Sequence, residues 1–109
     1  MSFQVGSVQE YFDTLERRFQ ADGAKGVKAI YQWDLGDDGT WHAIVNDGAL
    51  EVHKGAHDAP TVVIRMSGDN YVKMANGKLN AQLAMVTGKM KVTGAIPMAM
   101  KMRNIFPQA

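Results

Sequence analysis

The sequence predicts an α+β fold: a five-stranded, mainly antiparallel sheet with helices gathered on one face, enclosing an apolar cavity or tunnel. Three observations predict it. Apolar residues recur at helical spacing near both ends of the chain. Between them, apolar and polar residues alternate with a period of two. Asp47-Gly48 sits between two such alternating runs as a tight-turn dipeptide. An antiparallel sheet with helices segregated to one face is the natural layer arrangement for this order of elements.

The first helix opens on a capping box, Ser7-Val8-Gln9-Glu10, in which the serine accepts from a backbone N–H three residues on and the glutamate reaches back. Val8, Tyr11, Phe12, Leu15 and Phe19 follow at helical spacing, and Gly23 is the expected stop. Glu10, Asp13, Glu16, Arg17 and Arg18 form the expected solvated face. From Val27 the period becomes two, with Val27, Ala29, Tyr31, Trp33 and Leu35 on one side and Lys28, Gln32 and Asp34 on the other. Gly36 to Gly39 reads as a turn, after which Trp41, Ala43 and Val45 alternate with His42, Ile44 and Asn46. A two-residue loop at Asp47-Gly48 pairs Val45 with Leu50, Ala43 with Val52 and His42 with His53, which places the apolar pairs on one face. Residues 55–60 form a loop, and Thr61 to Met66 is a fourth strand, expected to continue the first three as a meander.

Ser67 caps a short helix carrying Tyr71, Val72 and Ala75 that stops at Gly77, and Asn80 caps another that runs to Met85 and Gly88. Lys89 to Thr93 is the fifth strand, and Gly94 leads into a last helix whose first turn tolerates Pro97. That helix is unusual. Ile96, Met98, Ala99, Met100, Met102, Ile105 and Phe106 cover most of its circumference. A helix apolar nearly all round needs two apolar neighbours. The sheet supplies one, so the other face must meet a partner, a membrane or an internal ligand. All seven internal methionines lie in the second half of the chain. Their unbranched, polarizable side chains can repack around apolar guests of varying shape.

The 109 residues are enough for one domain, 1–109, with a real hydrophobic core. A net charge of +1 without a basic run or interleaved aromatics argues against nucleic acid as a partner. With no cysteine there is no disulfide, thiolate nucleophile or Cys-based metal site, and the chain is expected in the cytoplasm. The N-terminus lacks the basic start and apolar core of a secretory signal. The longest apolar helix, about twelve residues, would be ~18 Å long against the ~30 Å of a bilayer core, too short to span it.

The sequence offers little catalytic chemistry. His53 and His57 are four apart but separated by Gly55, and no third ligand completes a metal motif. His42 and His53 would be cross-strand neighbours beside Glu51, an acid/base cluster in composition but more simply the wet face of a hairpin. No serine sits in a Gly-x-Ser-x-Gly elbow and no glycine-rich loop joins strand to helix, so neither a nucleophile nor a nucleotide cofactor is expected. Lys89, Lys91, Lys101 and Arg103 make a basic rim suited to solvent, an anionic head group or transient contact with a membrane surface.

From about Ala24 to Phe106 the chain resembles the sterol carrier protein type 2 family, the non-specific lipid-transfer domain. The resemblance is carried by residues 26–35 (GVKAIYQWDL), 41–55 (WHAIVNDGALEVHKG) and Ala59-Pro60 with the strand after it. Its most specific part is Gly77-Lys78-Leu79-Asn80 with Ala81 to Ala84, followed by Gly88-Lys89-Met90-Lys91-Val92-Thr93-Gly94. The resemblance implies an apolar tunnel bordered by the C-terminal helix, taking fatty acids, acyl-CoA esters, sterols or phospholipids, with no catalytic residue, cofactor or metal of its own. The C-terminal Pro107-Gln108-Ala109 is not the Ser-Lys-Leu address of the peroxisomal carriers.

The expected function is therefore that of an intracellular lipid carrier for a long-chain ligand, monomeric or homodimeric. The rivals are a homodimeric interaction module and an accessory subunit of a lipid-metabolising enzyme. The expected lining residues are Tyr31, Trp33, Met74, Leu79, Leu83, Met85, Met98, Met100, Met102 and Phe106.

Overall fold

The computed structural model describes residues 3–108; Met1 and Ser2 of the N-terminal segment and Ala109 of the C-terminal tripeptide lie outside the described residues. The chain forms α1 (Val8–Asp13), α2 (Leu15–Arg18), β1 (Lys28–Asp34), a 3-10 turn (Gly36–Asp38), β2 (Thr40–Asn46) and β3 (Ala49–Lys54). There follow β4 (Val62–Met66), α3 (Gly68–Ala75), α4 (Ala81–Val86), β5 (Met90–Gly94), α5 (Ile96–Met100) and α6 (Met102–Ile105).

Ser7 Oγ accepts from the Glu10 N–H at 3.1 Å, while the Glu10 carboxylate accepts from the Gly6 N–H at 2.7 Å, one residue ahead of the cap. The first helix is shorter than expected. It breaks at Thr14, whose hydroxyl donates to the Glu10 carbonyl at 2.7 Å, a side-chain bond that bends helices. It ends by Phe19, where the Gln20 N–H donates to Ile105 O at 2.9 Å, so a tertiary bond stops it before Gly23. Gly23 serves close approach instead: a Cβ there would strike the Asn104 backbone.

The sheet order is β3-β2-β1-β4-β5. Around Asp47-Gly48 both turn residues have positive φ, 48° and 89°, and the register pairs His42 with His53, Ala43 with Val52 and Val45 with Leu50. The expected meander stops at β3. β4 lies parallel to β1, with Tyr31 opposite Val62 and Trp33 opposite Ile64, and β5 then pairs antiparallel with β4. The physical reason is burial. β3 is largely exposed, whereas Val62, Ile64 and Met66 are buried and need the helix-covered centre of the sheet, not a place beyond its edge. The five-stranded sheet is thus mixed and open, with helices packed on it in the arrangement the sequence implied.

The core lies between sheet and helices. Trp33, Tyr31, Leu15, Leu35, Ile105, Val45 and Val62 are its largest fully buried side chains. Phe12 stacks on Trp41 at 4.6 Å between centroids and meets Trp33 edge-on at 5.1 Å. The segment before α1 is tied to the end of α3 by a reciprocal pair: the Val5 N–H donates to Asn76 Oδ1 and Asn76 Nδ2 donates to Val5 O, each at 2.8 Å.

The last helix is two helices. At Lys101 the N–H donates to Met98 O at 3.2 Å, three residues back, and the axis restarts as α6. Ile105 and Phe106 of the second segment are buried, while Met100 of the first stays at the surface. Tyr31 Oη holds α5 on the sheet by donating to Met98 O at 2.9 Å.

Candidate functional site

The β4–β5 half of the sheet and the helices above it enclose a cavity of about 450 Å³. Ile64, Met90 and Val92 form its floor. Tyr71, Met74 and Ala75 from α3 and Tyr11 and Arg18 from the first two helices form one side. Ala81, Gln82 and Met85 from α4, Ile96, Ala99 and Met100 from α5, Met102 and Arg103 from α6, and Phe106 and Gln108 complete the wall. Five of these residues are methionines, a flexible apolar surface. The size falls in the range of about 300–1,000 Å³ usual for small-molecule sites.

One end of the cavity is polar. Arg18, expected in solvent, is 3% exposed. Its Nη1 donates to Ala75 O at 3.0 Å and Pro107 O at 3.3 Å, and its Nη2 donates to Phe3 O. The guanidinium also lies over the Tyr11 and Phe3 rings, 4.8 and 5.5 Å from their centroids. The ion pairs among the described residues, Glu51 with His53 and Asp34 with Arg65, leave it without a carboxylate. Beside it the Tyr71 hydroxyl donates to the Tyr11 hydroxyl at 2.8 Å. Burial pushes the Tyr71 phenol well above its ordinary range, and the neighbouring Tyr11 adds to this; burial likewise raises Tyr11, against the opposing hydrogen bond from Tyr71.

Of the residues expected to line a cavity, Met74, Met85, Met100, Met102 and Phe106 are in its wall. Tyr31 and Trp33 lie fully buried in the core beyond it, Leu79 and Met98 are half-buried and packed against that core, and Leu83 projects into solvent from α4. The α4 pattern explains Leu83: Ala81, Gln82 and Met85 share the cavity side and Ala84 is buried, which leaves Leu83 and Val86 outward.

The histidines sit on the other face of the sheet. His42 is buried, its Nδ1–H donating to Gly55 O at 2.8 Å, and its ring lies 5.1 Å from that of His53 and 5.2 Å from that of His57. Among the described residues no group of three His, Cys, Asp or Glu side chains is arranged to hold a metal ion. No helix of the described residues is long and apolar enough to cross a membrane.

The family model of the SCP-2 sterol transfer family matches residues 12–107. The chain belongs to that family. The SCP-2 domain is 32% identical over 106 residues to hydroxysteroid dehydrogenase-like protein 2 of Mus musculus, covering 94% of this chain and 22% of that protein. The chain thus spans about a fifth to a quarter of the length of the curated relatives it matches. Sterol carrier protein 2 of Yarrowia lipolytica, in its apo form, superposes with a TM-score of 0.71 at 25% identity, covering 97% of this chain and 98% of that one. Palmitated SCP2L2 of Aedes aegypti shares the fold with a TM-score of 0.71 at 20% identity over 91% of this chain and 93% of that one. Family and fold support lipid binding or transfer as the activity of the SCP-2 domain.

Sequence reasoning missed the polar end of the SCP-2 cavity. A signal for it existed: Arg18 is seven residues after Tyr11 and three after Leu15, on the apolar stripe of the first helix. A charged residue on a buried stripe asks for a partner.

Proposed function

We propose that this SCP-2 domain is a non-catalytic cytoplasmic carrier of single-chain lipids with an anionic head group, fatty acids first among them. The observation that carries this reading is Arg18, a buried cation with no carboxylate partner among the described residues, in the wall of a mostly apolar, methionine-rich cavity. A carboxylate placed there would complete its charge balance, and charge-assisted hydrogen bonds are the strong ones. The tail supplies most of the affinity. At ~0.8 kcal/mol per buried methylene, a sixteen-carbon chain offers on the order of 12 kcal/mol before ordering costs. The palmitate of the Aedes aegypti protein supports the same cargo class.

The test is a displacement titration comparing palmitate with hexadecanol on the natural protein and on Arg18→Gln. The expected result is a loss of about tenfold or more for the acid, the scale of a hydrogen bond to a charged group, and little change for the alcohol. Equal losses for both ligands would place the head group elsewhere, and no affinity for either would end the carrier reading.

A second reading, an accessory module of a lipid-metabolising enzyme, is favoured by the much greater length of the hydroxysteroid dehydrogenase-like relatives. A carrier moves lipid between vesicles unaided; an accessory module without its enzyme does not.

A further inference from the structure

Five of the seven internal methionines, Met74, Met85, Met90, Met100 and Met102, stand in the wall of one cavity, in a chain that has no cysteine. A wall that had only to be apolar could be built from leucine and isoleucine, whose rotamers are better defined. Thioethers bring a second property besides adaptability, since each can accept an oxygen atom and become a sulfoxide.

Their access to water differs. Met100 is 71% exposed and Met85 48%, whereas Met74 and Met90 are 9% and 6% exposed. Met66, the partner of Met90 in the β4–β5 register, is closed off to the same degree at 8% but is not part of the wall. A dissolved oxidant therefore reaches Met100 and Met85 first and treats Met66, Met74 and Met90 alike. An oxidant carried inside the cavity meets Met74 and Met90 and misses Met66.

We propose that the cavity methionines reduce the hydroperoxides of unsaturated fatty acids that enter as cargo. The sulfur lone pair attacks the outer oxygen of R–O–O–H, an S–O bond forms, and the O–O bond breaks with its electron pair going to the inner oxygen. That alkoxide takes the proton of the transferred hydroxyl, which leaves a hydroxy fatty acid and methionine sulfoxide. The hydroperoxide gains two electrons, the thioether loses two, and no further reactant is required. Holding both groups in one cavity replaces a slow bimolecular encounter with a reaction between neighbours. Each sulfoxide makes the wall more polar, which weakens its hold on an alkyl chain, and methionine sulfoxide reductases restore the thioether. The proposal rests on the carrier reading, because cargo must bring the oxidant in.

The experiment incubates the protein, with a metal chelator present, with linoleic acid hydroperoxide or with hydrogen peroxide at the same concentration. Peptide mass spectrometry follows each methionine, and chromatography follows the lipid product. With the lipid hydroperoxide, Met74 and Met90 are expected to oxidise about tenfold or more faster than Met66, with one hydroxy acid formed per sulfoxide. Hydrogen peroxide is expected to oxidise the three at similar rates, and excess palmitate to remove the difference that the lipid hydroperoxide shows. Oxidation of Met66 as fast as Met90, sulfoxide without matching hydroxy acid, or a preference that palmitate does not suppress overturns the proposal. A palmitate titration on the same preparation separates the two readings. Palmitate binding without selective oxidation removes the proposal and leaves the carrier standing, whereas no palmitate affinity removes both.

Discussion

The Tyr71 and Tyr11 rings meet edge to face with centroids 4.9 Å apart, and the hydroxyl of the first donates to that of the second at 2.8 Å, both rings being buried. In the folded chain both phenols hold their protons above the ordinary tyrosine value of 10.0, chiefly because burial penalises the phenolate. In the unfolded chain they ionise near 10.0. Above that pH the unfolded state binds fewer protons than the folded one. The stability contribution is therefore complete below the unfolded value and is lost as pH rises toward the folded ones, by up to ~1.4 kcal/mol per pH unit for each tyrosine. Urea midpoints measured across the alkaline range are expected to fall less steeply for Tyr71→Phe than for the natural protein; identical slopes would refute the coupling.

Arg18 ties three distant segments together through the carbonyls of Phe3, Ala75 and Pro107. Arg18→Leu leaves those acceptors unpaired and is expected to cost about 2–4 kcal/mol. The check is a urea titration, with hydrogen exchange expected to quicken at both ends of the chain. A loss below 1 kcal/mol would mean water satisfies the carbonyls.

Ala99 is a small residue in the cavity wall. Ala99→Trp puts an indole into the space a long tail would occupy, so palmitate is expected to bind about tenfold or more weakly, with octanoate much less affected. Competition titrations with the two acids decide it. A uniform change would show that the tail runs elsewhere.

Gly94 ends β5 with φ of 102°, and a Cβ there would fall on the Thr61 carbonyl. Gly94→Ala combines backbone strain with that clash, and an expected loss of about 3 kcal/mol follows. Gly26, with φ of 77° and open space around it, makes the comparison. Gly26→Ala is expected to lose only about 1 kcal/mol, since strain acts alone. Equal losses in denaturant would remove the steric argument.

What the sequence made legible follows the range of the interactions. The Asp47-Gly48 hairpin and its register depend on neighbours in the chain, and the Ser67 and Asn80 caps on residues three away; all were readable. The parallel pairing of β1 with β4 was not, because alternation says which face of a strand is buried and not which strand lies beside it. The Lys101 break was hidden because an apolar residue on every side of a helix gives no phase in which to see a change of axis. In the cavity, residue type identified methionines such as Met74 and Met102, since thioethers suit adaptable walls. Arg18 was assigned to solvent by its charge, and only the three carbonyls converging on it, from three distant segments of the chain, explain its burial.

The seam that joins Tyr31 to Val62 closes only after the chain has run out through β2 and β3 and returned. Such remote pairings form late, because the loop must close before the contact repays it. The hairpin half, built from sequence neighbours, assembles early. β4, β5 and three helices of six, five and four residues join afterwards, and helices below about 12 residues are marginal in water without something to dock on. The container is thus the part of the molecule whose shape rests most on contacts between remote stretches of chain. A passenger bound inside it would hold the late-forming half in place by mass action.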